Sequence, residues 1–329
     1  MVMDRDVLAA SPRWDEVAEA IVTTLSPTSG TTRIIPLSAG MLNTIFLLDD
    51  GRTRRVLRIR HFESVEYGQE FGAERLVYPR LSGRTVRVPE LLHFDDSRQV
   101  VPYKFAIFEF VPGQRLDEYI AAAPASSVEG AIETLATTLV HIHQVSEVGF
   151  GTHLDLQKPA GDCRGYWGEL FERELERVES HAPYMAANLA TALPHCLDIL
   201  DVTPWNRPVL VHGDMHGRNI LVQSATAMSV IDWEASRRRT APYDFAQLKY
   251  CNFRGRDALW HRLVTIYLDA CGASSTDAGA FEAAVRVYQL FWHLRMGLFM
   301  RQFPAVPDPY FGEANDHLSA ACYLIEDLQ

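Results

Sequence analysis

The run His212-Gly-Asp-Met-His-Gly-Arg-Asn219, followed by Ile231-Asp-Trp-Glu234, constrains the fold more tightly than any other part of the chain. The apolar stretch Pro208-Val-Leu-Val211 feeds it, and Asn219-Ile-Leu-Val222 leaves it. A short polar turn, Gln223-Ser-Ala-Thr-Ala227, then reverses the chain into Met228-Ser-Val-Ile231. Apolar alternation on either side of a polar turn predicts a β-hairpin. Such a hairpin carries Asp232 back beside Asn219. The chain must therefore adopt a fold that presents one loop and one hairpin end together.

Three oxygen-bearing side chains, Asp214, Asn219 and Asp232, meet under that constraint. The spacing D-x-x-x-x-N is that of a protein-kinase catalytic loop. A transferring phosphoryl group spreads negative charge over its oxygens, so its catalysis is mostly positioning plus cationic stabilisation. Magnesium takes one or two carboxylates and fills the rest of its octahedron with phosphates and waters. Asn219 and Asp232 are the candidate Mg²⁺ ligands, and Asp214 the group that accepts or orients the proton of an acceptor hydroxyl. A competing reading has the two aspartates capping turns and Asn219 satisfying backbone. Zinc on His212 and His216 fits less well, since Gly213 and Gly217 disfavour a helix there and no third ligand has metal-site spacing. His212 reads instead as a loop brace bonded to backbone.

These motifs resemble those of the aminoglycoside phosphotransferase family, small-molecule kinases of the protein-kinase-like fold. Leu37-Ser-Ala-Gly-Met-Leu-Asn-Thr44 sits where that family has its phosphate loop, and Val56-Leu-Arg-Ile59 where it has the nucleotide-binding strand. Phe108-Glu-Phe-Val-Pro-Gly113 is similar to its hinge, and Tyr243-Asp-Phe-Ala246 to its Asp-Leu-Ala element. The nearest subgroup by eye is hygromycin B phosphotransferase-like. The resemblance implies an α+β two-lobed fold, with an antiparallel sheet and helix in a nucleotide-binding lobe (1–111). A mainly helical lobe with a catalytic β-hairpin (112–329) would follow and bind substrate. It also implies ATP or GTP with Mg²⁺, held by Ser38, Gly40, Asn43 and Thr44 at the phosphates and by backbone of Glu109 and Val111 at the base. Arg58 stands where such folds place a lysine, and Arg is a planar five-donor fork rather than a compact charge. Either Arg58 clamps the phosphates and pairs with Glu74 (or Glu70, a turn earlier), or the nucleotide site has degraded. Asp244 is expected to brace the catalytic loop.

Composition narrows the partners. At 329 residues the chain exceeds one comfortable core, so two lobes are the natural prior. No apolar run approaches a membrane span, no signal-like start is seen, and the five cysteines are scattered without a CxxC. These features point to a cytoplasmic protein without a membrane partner. Up to Val111 there are 14 basic and 15 acidic residues, against 17 and 27 from Pro112 onward. That imbalance disfavours nucleic acid and suits a small, hydroxylated, cationic acceptor. Asp155, Asp162, Glu169 and Glu234 are candidate acceptor contacts, with Glu313 and Asp316 a second place to look; solvated surface explains them equally well.

Local patterns predict the elements. Ser11-Pro12 opens a helix whose Trp14, Val17, Ala18, Ile21 and Leu25 share a face, ended by Pro27. Strands are expected at 33–37, 43–49, 54–60, 90–94 and 103–111, with a helix over 64–81 that Pro79 kinks or shortens. Ser126-x-x-Glu129 predicts a capping box for a helix reaching Val145. Arg237-Arg-Arg239 is expected near the metal site, binding phosphate or facing solvent. The aromatics from Trp260 to Phe299 read as core. The function expected is O-phosphorylation of an aminoglycoside or aminocyclitol. A metabolic small-molecule kinase and a non-catalytic pseudokinase are the alternatives.

Overall fold

The structure is a computed structural model that describes residues 13–25, 32–39, 42–61, 71–152, 161–302 and 310–328. It divides into two compact units, one within Met1–Arg75 and Val88–Pro112, the other within Leu76–Arg87 and Gly113–Gln329.

In the first unit, α1 (Trp14–Leu25) is followed by β1 (Arg33–Ala39), β2 (Asn43–Asp49) and β3 (Arg54–Arg60), then β4 (Leu91–Asp95) and β5 (Lys104–Glu109). Between β3 and β4 in sequence lies α2 (Glu74–Leu81), whose first two residues belong to this unit and the rest to the second. The strands form one antiparallel sheet in the order β1-β2-β3-β5-β4. Alternation along β2 buries Thr44, Phe46 and Leu48. Phe46 and Leu48 join Leu57, Ile59, Phe105 and Ile107 in a core that packs Ala18 and Ile21 of α1. The side chains between them on β3, Arg58 and Arg60, point to the opposite face and are buried as well. Of the helix expected over 64–81, residues 64–70 lie outside the described residues, and α2 covers Glu74–Leu81 after a turn in which Gly72 adopts φ +86°. A Cβ at that glycine would lie 2.4 Å from the Phe94 ring. The cap at Ser11-Pro12 and the stop at Pro27 lie outside the described residues.

The second unit is mainly helical: α3 (Leu116–Ala122), α4 (Ala125–His143), α5 (Cys163–His181), α6 (Ala186–Val202), α7 (Pro242–Phe253), α8 (Asp257–Ala270), α9 (Ser275–Gln302) and α10 (Ala314–Asp327). Trp167 of α5 packs against Tyr288 and Phe291 of α9 at ring separations of 4.6 and 5.2 Å, at the centre of the main core. The predicted hairpin is β8 (Ile220–Ser224) with β9 (Ala227–Val230), joined through Ala225 and Thr226, with Ile220 opposite Val230. A two-residue β6 (Gln114–Arg115) adds to its edge, and β7 (Val209–Val211) pairs with β10 (Arg237–Arg239). Neither β6 nor β10 was expected. The helix α4 starts at Ala125, so Ser126 falls inside its first turn and makes no capping box. Among the described residues no helix is long and apolar enough to cross a membrane.

The three arginines of β10 correct the sequence reading, since all are buried. Arg238 donates from Nη1 to the Val148 carbonyl (2.7 Å) and from Nε to that of Thr152 (3.1 Å), tying down the Gly149-Phe-Gly151 turn. Arg239 lies over Tyr243, 4.2 Å from its ring centre, and donates to the Tyr166 hydroxyl. Their charge is spent on internal carbonyls and π faces. Arg238→Ala is therefore expected to lower unfolding free energy by about 2 to 3 kcal/mol through two lost charge-assisted hydrogen bonds. A urea titration checks this, and an unchanged midpoint would refute it.

Candidate active site

The loop from His212 to Asn219 joins β7 to β8 and is fixed along its length by backbone bonds. Gly213 has φ +81°, and a Cβ there would lie 2.0 Å from the Ala235 carbonyl oxygen. At Gly217 a Cβ would lie 2.2 Å from Asn252 Nδ2. Only glycine allows both approaches. His212 is fully buried; its Nε2 donates to the Ile231 carbonyl at 2.9 Å, and its Nδ1 accepts the Asp214 N–H at 3.3 Å. That pair of bonds selects one neutral tautomer, and burial lowers the imidazole's pKa in agreement. Asp244, in the first turn of α7, accepts the N–H of His212 on Oδ2 and of Gly213 on Oδ1, each at 2.8 Å. His143 of α4 meets the same Oδ2 at 3.1 Å and is itself held by the Tyr267 hydroxyl at 3.0 Å. Farther along, Asn252 Oδ1 accepts the Gly217 N–H at 2.9 Å, a bond shared with the Tyr310 hydroxyl at 3.1 Å.

On this frame Asp214 and Asn219 are joined directly. Asn219 Nδ2 donates to the Asp214 carbonyl at 2.9 Å and to its Oδ2 at 3.3 Å. Gln247 Nε2 donates to Oδ1 at 2.8 Å. His216 accepts the Arg218 N–H on Nδ1, and its Nε2 faces Asp214 Oδ2 at 3.5 Å and Asn219 Nδ2 at 3.3 Å. Burial raises the Asp214 pKa, but the nearby His216 and the hydrogen bond from Gln247 outweigh it and hold the carboxyl well below the usual range. Asp214 is thus an anion with both oxygens engaged. The Ile231 N–H donates to the Asn219 carbonyl at 2.9 Å, so the hairpin delivers Asp232 one residue past Asn219. Asp232 is exposed and left-handed, φ +62°. Nδ2 of Asn219 donates to Asp214, so its remaining polar atom is Oδ1, which like the Asp232 carboxylate is a hard-oxygen donor of the kind Mg²⁺ takes. The zinc reading fails, because both ring nitrogens of His212 bind backbone and no three His, Cys, Asp or Glu side chains among the described residues are grouped to hold a metal.

In the first unit, Arg58 Nη1 meets Glu74 Oε1 at 2.8 Å, and the guanidinium lies 4.7 Å from the Phe108 ring centre. Glu70 and Gly40 lie outside the described residues. Ser38 is an exposed residue of β1 opposite Ile45, and Asn43 opens β2 opposite Arg60. Thr44 is buried with its hydroxyl 3.2 Å from His61 Nδ1, which commits it to that ring. The Glu109 N–H is taken by the Glu90 carbonyl at 2.8 Å, and Val111 is buried.

The proposed acceptor contacts fare differently. Asp162 is the N-cap of α5, accepting the Gly165 N–H at 2.6 Å, and Glu313 and Asp316 form the capping box of α10. Both findings correct the sequence reading: these carboxylates satisfy helix termini. Glu169 is exposed on α5, Glu234 is buried in the turn after Asp232, and Asp155 lies outside the described residues. Sequence reasoning missed Gln247, Asn252 and Tyr310. Gln247 follows Asp244 by three, one helical turn, which was the available signal; Tyr310 gave none.

A buried histidine pair supports Tyr310. His317 Nε2 donates to the Phe311 carbonyl at 2.7 Å, and its Nδ1 accepts from His293 Nδ1 at 2.9 Å. Phe311 in turn packs on His216, ring centres 5.3 Å apart.

Residues 33–284 match the family model described as the phosphotransferase enzyme family. No curated protein sequence matches the chain. Among solved structures it is similar to a thermostable mutant of aminoglycoside phosphotransferase APH(4)-Ia in ternary complex with AMP-PNP and hygromycin B, at 18% identity and TM-score 0.69 over 94% of this chain and 97% of that one. It is also similar to the GDP complex of an aminoglycoside 2′-phosphotransferase-IIIa mutant (17%, TM-score 0.66, 95% and 96%). A third is the streptomycin–ATP–APH(2″)-IIa complex (14%, TM-score 0.63, 96% and 99%). These likenesses establish the α+β, protein-kinase-like fold.

Two expectations follow. Gly213→Ala should cost several-fold in soluble yield or at least about 3 kcal/mol in stability, because its Cβ meets an immovable carbonyl at a positive φ; chemical denaturation measures it. Burial lowers the pKa of His293 to about 3 and of His317 to about 4, from an ordinary 6.5. The unfolded chain therefore gains protons below pH 6.5 that the folded chain refuses. Their stabilisation is complete above that pH and declines as the pH falls toward 3 to 4. The urea midpoint should drop between pH 7 and 5, and less steeply in His293→Gln; equal slopes would contradict the assignment.

Proposed function

The chain belongs to the phosphotransferase enzyme family, and from that premise we propose that it moves the γ-phosphoryl group of Mg-ATP to a hydroxyl of a small aminoglycoside- or aminocyclitol-like molecule in the cytoplasm. The observation that carries the reading is the anionic Asp214, fixed at both oxygens beside Asn219, with Asp232 on the adjoining hairpin end.

In this reading Asp214 accepts a hydrogen bond from the acceptor hydroxyl and orients its oxygen toward the γ-phosphorus. As the bond from that oxygen to the γ-phosphorus forms, the bond from the γ-phosphorus to the β–γ bridging oxygen breaks, ADP leaves, and Asp214 receives the hydroxyl proton. Asn219 Oδ1 and Asp232 would hold Mg²⁺, which supplies charge neutralisation across the phosphate oxygens. Residues 1–111 serve as the nucleotide-binding part and 112–329 as the catalytic and acceptor-binding part. Arg58, held flat by Glu74 and by the Phe108 face, supplies a fork for the α- and β-phosphates. The intact, buried Arg58–Glu74 pair argues against a degraded site. Ser38, Gly40 and Asn43 remain the phosphate-loop candidates, and the Glu109 carbonyl with the Val111 N–H the base contacts. Complexes of the similar structures with AMP-PNP, hygromycin B, GDP and streptomycin support this choice of ligands.

A second reading, a metabolic hydroxyl compound with few or no amines, is favoured by one observation. Three of the carboxylates considered for cation recognition, Asp162, Glu313 and Asp316, are committed to helix caps. Incubation with Mg-ATP and a mixed panel of hygromycin B, streptomycin, sugars and amino alcohols, read by mass spectrometry, separates the two. No phosphorylated product from any compound would overturn the proposal. Asp214→Ala should reduce turnover about 100- to 10,000-fold while leaving Mg-ATP binding intact by calorimetry. Arg58→Lys should raise KM for ATP more than it lowers kcat, because a point charge loses the forked contact.

A further inference from the structure

We propose that Gln247 is a positioning residue that sets the orientation of the Asp214 carboxylate for phosphoryl transfer; the proposal rests on the reading of Asp214 above. Gln247 lies three residues after Asp244 on α7, on the same face and one turn farther along. Asp244 fixes the backbone of the loop at His212 and Gly213, so the next side chain on that face reaches the next residue of the loop, Asp214. Gln247 is itself buried, and its amide donates to Asp214 Oδ1 at 2.8 Å, within the range of a strong charge-assisted bond.

The other contacts on that carboxylate are looser and come from within the loop. Asn219 Nδ2 reaches Oδ2 at 3.3 Å and His216 Nε2 at 3.5 Å. A carboxylate gripped at one oxygen can still rotate about its Cβ–Cγ bond; a second grip on the other oxygen, from a separate helix, fixes its plane. The choice of residue type fits this task. A lysine or arginine here would set a full positive charge against Asp214, and a glutamate would repel it. An amide orients the carboxylate and adds no charge.

The test compares Gln247→Leu, close in volume and without a donor, and Gln247→Asn, a shorter donor, with wild type. ATP hydrolysis by water and transfer to hygromycin B are both followed. Gln247→Leu should lower kcat about 10- to 100-fold with KM for Mg-ATP within twofold, as expected for a lost alignment rather than lost binding. Gln247→Asn should recover part of that loss. In a double-mutant cycle, Gln247→Leu should add little once Asp214 is alanine. Independently of turnover, the side-chain amide NMR resonance of Gln247, identified by its absence from Gln247→Leu, should shift in Asp214→Ala. Unchanged kcat, an equal rise in KM, or an unmoved amide resonance each overturns the proposal. A wild-type protein that turns over nothing sinks the activity reading, and the catalytic purpose of the contact with it. The resonance still reports in that case whether the contact exists.

Discussion

Asp244 is a buried anion at the start of α7, and the geometry of the site follows from how that anion is satisfied. A carboxylate withdrawn from water carries a large desolvation cost unless hydrogen bonds replace its hydration. Here two successive backbone N–H groups, those of His212 and Gly213, point at its two oxygens, and His143 adds a third donor. Its place in the first turn of a helix is electrostatically favourable too. One side chain thereby draws together α7, α4 and, through Tyr267, α8, and curls the loop so that Asp214 comes next. Removing Asp244 would strand two amides, not one contact.

The first unit solves a different problem with similar means. Arg58 and Glu74 are both buried, and ion pairs of this kind stabilise little relative to apolar packing. Their value lies in orientation. The guanidinium sits against the Phe108 face and against one carboxylate oxygen, so its plane is set by the fold itself. A lysine would have offered a charge without a plane.

Much of this was legible from residues alone, where local signals and tertiary demands agree. The hairpin around Gln223–Ala227 was readable because alternation and turn chemistry point the same way, and β2 because period-two burial is strict. The loop motif placed Asp214, Asn219 and Asp232 in order. The failures have physical causes. Gly72 turns the chain just before α2 through a backbone angle that no periodicity reports. Arg237–Arg239 reads as polar surface but forms a buried strand, since each guanidinium finds internal carbonyls, a hydroxyl or aromatic faces. Asp162 and Glu313 were weighed as acceptor contacts and instead cap α5 and α10, helices for which the sequence reading offered no start. Gln247 and Tyr310 act across long sequence separations, where spacing is silent.

Gly213 approaches Ala235 closely. Main chain touches main chain there, so the separation between Asp214 and Asp232 is dictated by peptide geometry and not only by replaceable side chains. Side chains on the surrounding helices that make no bond to the loop are free of that requirement, so their substitution leaves the two carboxylates in register.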